Sequence, residues 1–510
     1  MPRLRSRRFP DMRNMPHPRI HWRAVSFIRH TRMIACWRLL LVGISLRKRS
    51  GANVLTLIAC WLSTLTTSIL FGKSGPTLCC VSYVGMFRDT RYLVSETGKI
   101  PSLCSMMRKS GLMTHEAVAG VYLGARRVGT LGYREGSTWF DYEDVTPDHP
   151  VLGQAFEADP SRRRTASGRV PEWFANLLPE PGSGLRELVA RDLDRRNVHD
   201  FLLLTYLGED LPGAVRVVRE GNGRDIPELA EADHCAHEHP LRFSLAGVQP
   251  KFSMRWDDKG LVLPVTGLGG DWIVKLPDRR FPQVPENEHA MLTWAALAGI
   301  EVPEHHLIAG ADLRGLPDGL VRPAENALAV RRFDRLAAGR IHQEDFAQVR
   351  EVSADAKYDR TTYSGVGRVV STLTSADVSE FTRRMAAMVV MGNTDGHLKN
   401  WTLRYPDTRT PRLSPAYDLV SVTAYPEFRN DRLAFRLGGT KDSRQITADH
   451  FRRIASEIGQ DPAQAVEVAL TTAAQLSDTW AQVRDECSVP DFVIEHVEER
   501  LMTLPLLQSV

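Results

Sequence analysis

Within residues 389–403, VVMGNTDGHLKNWTL, an apolar run stops at a glycine and gives way to an aspartate, a histidine, a lysine and an asparagine inside six residues. Val389, Val390 and Met391 read as the buried end of a helix, with Gly392 as its stop. Asp395 and Asn400 stand five apart, D-x-x-x-x-N. A carboxylate at the first position can take a proton from an attacking hydroxyl while the amide at the second turns back toward a divalent metal. Lys399, one residue before Asn400, suits the charge of a transferring phosphoryl group. Eighteen residues past Asn400, in Pro415-Ala416-Tyr417-Asp418-Leu419, an aspartate lies between apolar neighbours as a second candidate metal ligand. Taken alone the first stretch reads equally well as a polar turn whose Asx side chains cap themselves.

Upstream pieces change that balance. Lys275 lies in the apolar strand-like run WIVKLP, and a lysine so placed must emerge on a polar face, as the phosphate-binding lysine of kinases does. Its expected carboxylate partner is Glu288 in PENEHAMLTWAALAG, with Glu286 the alternative. Before the lysine strand comes SLAGVQPK, Ser244–Lys251, a small loop whose backbone N–H groups around Gly247 can cradle phosphates. One glycine falls short of G-x-G-x-x-G, so the loop matches by place and not by letters. The order loop, lysine strand, acidic helix, D-x-x-x-x-N and second aspartate carries more than any one piece.

The elements needed to position these residues can be read from periodicity. AVAGVYL, VGTLGY and TWFDY, separated by GARR and REGS, predict a β-meander. PEWFANLLPE, LRELVARDL and DFLLLTYLGEDLPGAV predict helical stretches, and the polar Arg219–His239 predicts a linker. FSMRW, GLVLPV and DWIVKLP predict short strands, Glu286–Ala298 a helix ended by Gly299, and HHLIAG and NALAVRRF further strands. From about Ile341 helices dominate: one after Thr374, with Asp377 in a capping box, then DHFRRIASEIG and the long stretch from Ala463. Ligands commonly sit at the junction of two such parts.

Composition splits the chain. Residues 1–112 carry 19 Lys and Arg against 3 Asp and Glu, whereas residues 113–510 carry 46 against 58. The larger part is therefore acidic, with no global pull toward nucleic acid. Five cysteines (36, 60, 79, 80 and 104) fall in the first part; Cys235 and Cys487 alone give neither a disulfide framework nor a metal spacing. Gly51–Gly72 has no charged side chain and follows Arg47-Lys48-Arg49, so it is long enough for a membrane anchor with the N-terminus inside. That orientation would carry everything after it away from cytosolic nucleotide. The alternative expectation is a basic, partly apolar extension outside the working protein, with translation starting at Met113 and residues 113–510 cytoplasmic.

These residues resemble the HipA family of serine/threonine protein kinases, toxins of bacterial toxin–antitoxin pairs. The resemblance covers about residues 113–480 and is carried by WFANLLPE, LGEDLPGAV, SLAGVQPK, IVKLP, NEHAMLTWAALAGIEVPE, AVRRFDR, HQEDFAQV, NTDGHLKNW and LSPAYDLVS, in that order. It implies an α+β, bilobal protein-kinase-like fold with a β-rich N-terminal part and an all-helical C-terminal lobe. The implied division is 113–222 for the N-terminal domain, 223–335 for the kinase N-lobe and 336–510 for the C-lobe. It implies Asp395 as proton acceptor, and Asn400 and Asp418 as Mg²⁺ ligands. Lys275 and the loop Ala246, Gly247, Val248, Gln249, Pro250 and Lys251 would contact ATP phosphates. Arg331, Arg332 and Phe333 would form the hinge against adenine, and His397, Leu398, Lys399, Asn400 and Tyr417 would line the nucleotide site. Ser244 matches the serine that family members autophosphorylate. Two departures stand out: Arg331 replaces a glutamate of the best-known member, and Pro250 an acidic residue.

The resulting expectation is a Mg²⁺-ATP-dependent kinase acting on a Ser or Thr hydroxyl of a protein. It would be held in check by a small helix-turn-helix antitoxin and would meet DNA only through that partner. A small-molecule kinase of related fold, and a catalytically silent component of a DNA-bound repressor complex, are the alternatives. The second has no need of Lys275, Asp395, Asn400 and Asp418 together.

Overall fold

The computed structural model describes residues 116–220 and 251–509, apart from short breaks at 144–145, 147, 194, 196–197, 265–268 and 360. Gly51–Gly72 and Ser244–Pro250 lie outside the described residues.

The meander forms as read: β1 (Glu116–Leu123), β2 (Arg126–Arg134) and β3 (Ser137–Tyr142) pair antiparallel in sequence order. Two more strands extend it, β4 (Arg164–Ser167) beside β3 and β5 (Val215–Glu220) beside β1, giving the order β4-β3-β2-β1-β5. The helical reading of DFLLLTYLGEDLPGAV is thus corrected at its end. The helix stops at Tyr206, and Val215 opens a strand in which Val215 and Val217 are buried and Arg216 between them is half-buried. Short helices α1 (Gln154–Ala158), α2 (Glu172–Ala175), α3 (Gly184–Asp192) and α4 (Asp200–Tyr206) accompany the sheet.

A second, six-stranded sheet follows, built from β6 (Lys251–Asp257), β7 (Gly260–Val262), β8 (Trp272–Lys275), β9 (His305–Ala309), β10 (Leu313–Arg314) and β11 (Asn326–Arg331) in the order β10-β7-β6-β8-β11-β9. Both sheets feed one hydrophobic core: Val121, Leu131 and Phe140 belong to the same buried cluster as Phe252, Val274 and Ala329. Helix α5 (Val284–Leu297) connects β8 to β9 but buries Ala290, Met291 and Trp294 in the other core. Trp294 fixes it there by donating its indole N–H to Leu476 O at 2.8 Å.

The C-terminal part is built on α6 (Phe346–Val349), α7 (Tyr363–Leu373), α8 (Val378–Met391), α9 (Ala448–Glu457), α10 (Pro462–Glu486) and α11 (Asp491–Thr503). It is not all helical. After a two-residue hairpin, β12 (Arg335–Leu336) with β13 (Gly339–Arg340), a three-stranded sheet joins β14 (His342–Asp345), β15 (Thr402–Tyr405) and β16 (Arg412–Leu413). Its pairing of Asp345 with Thr402 anchors the strand that follows the polar loop. Asp377 also departs from expectation: its side chain makes no cap bond. It instead holds Arg412 (Nη2–Oδ1 2.6 Å) and the Leu413 N–H (2.8 Å), tying β16 to the start of α8. Among the described residues no helix is long and apolar enough to cross a membrane.

Candidate active site

Helix α8 delivers the polar loop. Its last turn is buried, and Gly392 terminates it at φ 72°, the left-handed conformation that glycine adopts without a Cβ penalty. The loop then folds on itself. Asn393 Oδ1 accepts from the Asp395 N–H at 3.0 Å, and the Asn400 side-chain amide donates to Asp395 O at 2.8 Å. Gly396 is closely packed: a Cβ there would lie 2.4 Å from Met388 Sδ, and that side chain would have to shift. The Asx turn and the functional loop are the same structure: the capping bonds hold Asp395 outward and leave Asn400 Oδ1 as the oxygen available to a ligand.

Strand register supplies the cations. Lys251 on β6 and Lys275 on β8 are direct antiparallel partners, so two lysines share one face of the sheet. Like charges so placed repel; Asp418 lies between them, bonded to Lys275 and 3.5 Å from Lys251 Nζ. Lys275 also bonds Glu288 of α5, the partner expected from sequence, whereas Glu286 accepts from Asn326 at 2.9 Å. Burial lowers the Lys275 pKa, but Asp418 and Glu288 outweigh it and hold the ammonium charged. Burial raises Asp418, and Lys251 and Lys275 overcome it to hold the carboxyl well below the usual range. Asp418 itself has φ 55°, a left-handed backbone uncommon for any residue but glycine.

Asp395, Asn400, Asp418, Lys251 and Lys275 line one cleft of about 610 Å³, within the range of small-molecule sites. Ile273, Val330, Phe333 and Tyr417 give it apolar walls, with Phe333 and Tyr417 rings 5.9 Å apart. Asp395 is pushed up by burial in the concave site, against the lowering hydrogen bond from Tyr358. His397 is pushed down to about 3 by burial and then by Lys357, so it is neutral at physiological pH. Two oxygen donors, Asn400 and Asp418, suit a hard cation such as Mg²⁺, which keeps several waters and arrives with phosphate ligands. In keeping with that, no three His, Cys, Asp or Glu among the described residues are grouped to hold a metal unaided.

Three expected positions behave differently. Leu398 is fully buried in the C-terminal core, on a tight 3₁₀ turn, and does not line the cleft. Arg332 turns inward to Asp210, Asp334 and Ser253. Its N–H and that of Arg331 are used by Asp271 O (2.9 Å) and Glu304 O (2.7 Å), so the hinge N–H groups at both positions serve the protein. Lys399 donates to Asn176 O at 3.3 Å. Conversely, sequence reasoning passed over Tyr358, Lys357 and Glu180, all of which line the cleft. Glu180 closes WFANLLPE, a block already singled out, so it was findable; Tyr358 lies in a polar turn with no periodic signal.

Fold and site together define a bilobal, protein-kinase-like α+β protein. The model of the HipA N-terminal domain matches residues 119–218, and that of the HipA-like C-terminal domain residues 243–480. The chain is 42% identical over 411 residues to the putative kinase Y4dM of Sinorhizobium fredii, covering 78% of this chain and 99% of that protein. To the serine/threonine-protein kinase toxin HipA of Shewanella oneidensis it is 25% identical, over 59% of this chain and 78% of the relative. In fold it is similar to a solved Shewanella oneidensis HipA, HipB and operator DNA complex, with TM-score 0.59 and 19% identity over 77% of this chain and 99% of that one. The chain belongs to the HipA family of kinases.

Proposed function

We propose that the chain is a Mg²⁺-ATP-dependent protein kinase that phosphorylates a Ser or Thr hydroxyl. The observation that carries this reading is the convergence, in one cleft, of a sheet-borne lysine pair, a carboxylate held ionised between them, and the outward carboxylate of Asp395. When bound, Mg²⁺-ATP supplies the phosphoryl group and neutralises its charge. Lys251 and Lys275 bind its phosphates, Asn400 Oδ1 and Asp418 hold the metal, and Phe333 and Tyr417 wall the base. Asp395 orients the acceptor hydroxyl and takes its proton. His397, neutral, adds no competing charge.

The same reading assigns Ser244, seven residues before Lys251, as an autophosphorylation site. A phosphate there adds about −1.5 to −2 charge beside a site for ATP's own phosphates and expels the loop. A helix-turn-helix antitoxin is the regulatory partner, supported by the HipB named with the Shewanella protein. DNA is met only through it, in line with the acidic balance of residues 113–510. The activity resides in residues 113–510, in the cytoplasm.

The test is phosphoryl transfer to protein by the purified chain, with Asp395→Asn as the comparison. Loss of the proton acceptor should lower the rate about 10²–10⁴-fold with nucleotide binding retained. A rate within about tenfold of the parent, roughly 1.4 kcal/mol in barrier, overturns the assignment. Mass spectrometry should find phosphate on Ser244 of the parent and none on the variant.

A further inference from the structure

Asp395 poses a problem for any phosphotransferase. Its side chain is 49% exposed. A carboxylate that takes a proton from an acceptor hydroxyl takes one equally from water, which is everywhere and small. Unless water is kept off that oxygen, bound nucleotide is hydrolysed whenever no acceptor is present.

Among the described residues, one from outside the D-x-x-x-x-N loop hydrogen-bonds this carboxylate. Tyr358 donates its hydroxyl to Asp395 Oδ1. Its ring stands edge-on to His397, centroids 5.0 Å apart at 78°, and is otherwise 43% exposed. The turn bearing it is pinned on its N-terminal side. Asn176 Nδ2 donates to Val352 O at 2.8 Å, Leu398 N to Lys357 O at 3.3 Å, and Lys357 Nζ pairs with Glu180 at 3.0 Å. The backbone leading into Tyr358 is therefore held, while the half-exposed ring can swing aside about its own side-chain bonds. Burial of the phenol, and then the Asp395 charge, hold its pKa well above the ordinary value, so it remains a donor. A bulky aromatic hydroxyl, fixed in place but free to rotate away, sits where an incoming hydroxyl must arrive.

We propose that Tyr358 is a water guard: its hydroxyl occupies the proton-accepting oxygen of Asp395 until an acceptor hydroxyl displaces it. This rests on the proton-accepting role given to Asp395 above. The suppressed reaction is hydrolysis, in which the water oxygen bonds to the γ-phosphorus and the bond to the β–γ bridging oxygen breaks. The water proton goes to Asp395, giving ADP and inorganic phosphate. Tyr358 is a positioning residue in this scheme. It acts through Asp395, and it biases the enzyme toward acceptors presented on a segment large enough to push the ring outward.

The experiment measures ATP hydrolysis by the full chain without acceptor, in a Ser244→Ala background so that self-modification does not end the assay. Tyr358→Phe keeps the ring and removes the hydroxyl; Tyr358→Ala removes both. General-base assistance is worth about 10²–10⁴-fold, so releasing part of it to water should raise hydrolysis about tenfold in Tyr358→Phe and at least as much in Tyr358→Ala. Thermal midpoints verify that both variants fold. Adding Asp395→Asn to Tyr358→Phe should return hydrolysis to the parent level. Equal or lower hydrolysis in both tyrosine variants overturns the guard. So does phosphotyrosine at position 358 in the parent, which would make the residue an acceptor. If Asp395→Asn leaves both transfer and the raised hydrolysis intact, the reading of Asp395 fails instead.

Discussion

Two clusters, each of two acids and two bases, hold the molecule together near the cleft. In the cleft, Lys251 and Lys275 meet Glu288 and Asp418. Behind the hinge, Arg332 and Arg335 meet Asp210 and Asp334, with all four pairings between 2.8 and 2.9 Å and the Gly213 N–H adding a bond to Asp334 at 2.7 Å. The second cluster is sealed and uses arginine, whose planar fork locks two carboxylates at fixed angles. The first uses lysine, a point charge on a flexible stem that can leave one partner for another. Its Asp418 side chain keeps 26% of its surface exposed, against 0% for Asp210. The hinge cluster ties the first sheet's domain to the second sheet and is sealed from solvent; the cleft cluster is closed only by groups that can let go.

That contrast can be broken most sharply at Arg332. Arg332→Met leaves Asp210 and Asp334 buried with Arg335 alone, and removing one partner of such a network costs about 3–5 kcal/mol. Urea denaturation should show that loss; a change under about 1 kcal/mol would mean that the network is not structural. Lys275→Met should do the reverse. Glu288 is already pushed up by burial and can take a proton when its partner goes, so the fold loses only about 1–3 kcal/mol. ATP affinity, measured calorimetrically, should fall at least about tenfold, or 1.4 kcal/mol. Unchanged nucleotide affinity would place the phosphates elsewhere.

Acid separates the clusters from their surroundings. Burial pushes Asp334 up, and Arg332 and Arg335 outweigh it to hold it at about 2. The stability from that depressed carboxyl is present above the unfolded pKa near 4 and disappears only as pH falls through 2. Buried His342, His397 and His496 are held at about 4, 3 and 4, mainly by burial. Their unfolded forms bind protons first, so stability falls as pH drops below about 6.5, by up to about 1.4 kcal/mol per unit for each. Thermal midpoints from pH 7 to 5 should decline, and His342→Gln should flatten the slope. A flat profile in the parent would show that these rings are reached by water.

Much of the site was legible because its signals are local. A helix end at Gly392, a lysine inside an apolar strand and an acid on the next helix each follow from periodicity within a few residues. What escaped depends on distant partners. RRFDR cannot say which arginine faces inward: Arg331 lies over Trp272 at 5.5 Å, whereas Arg332 finds Asp210 in a loop of the first domain. Asp377 caps in the sequence reading but is captured by Arg412, and β14 becomes a strand only because β15 lies beside it. Leu398 sits inside a polar motif, and only the tight turn reveals that it belongs to the core.

The left-handed backbone at Asp418 also limits which replacements are informative there. Forcing a side chain other than Gly, Asn or Asp into that conformation costs about 1–2 kcal/mol. Asp418→Ala therefore confounds two losses, the oxygen ligand and an unstrained backbone, and Asp418→Gly relaxes the chain while deleting the ligand. Asparagine alone keeps the shape and the tolerance of positive φ while discarding the charge. At this position the backbone narrows the chemical alphabet to three letters, and only one of them isolates the electrostatics.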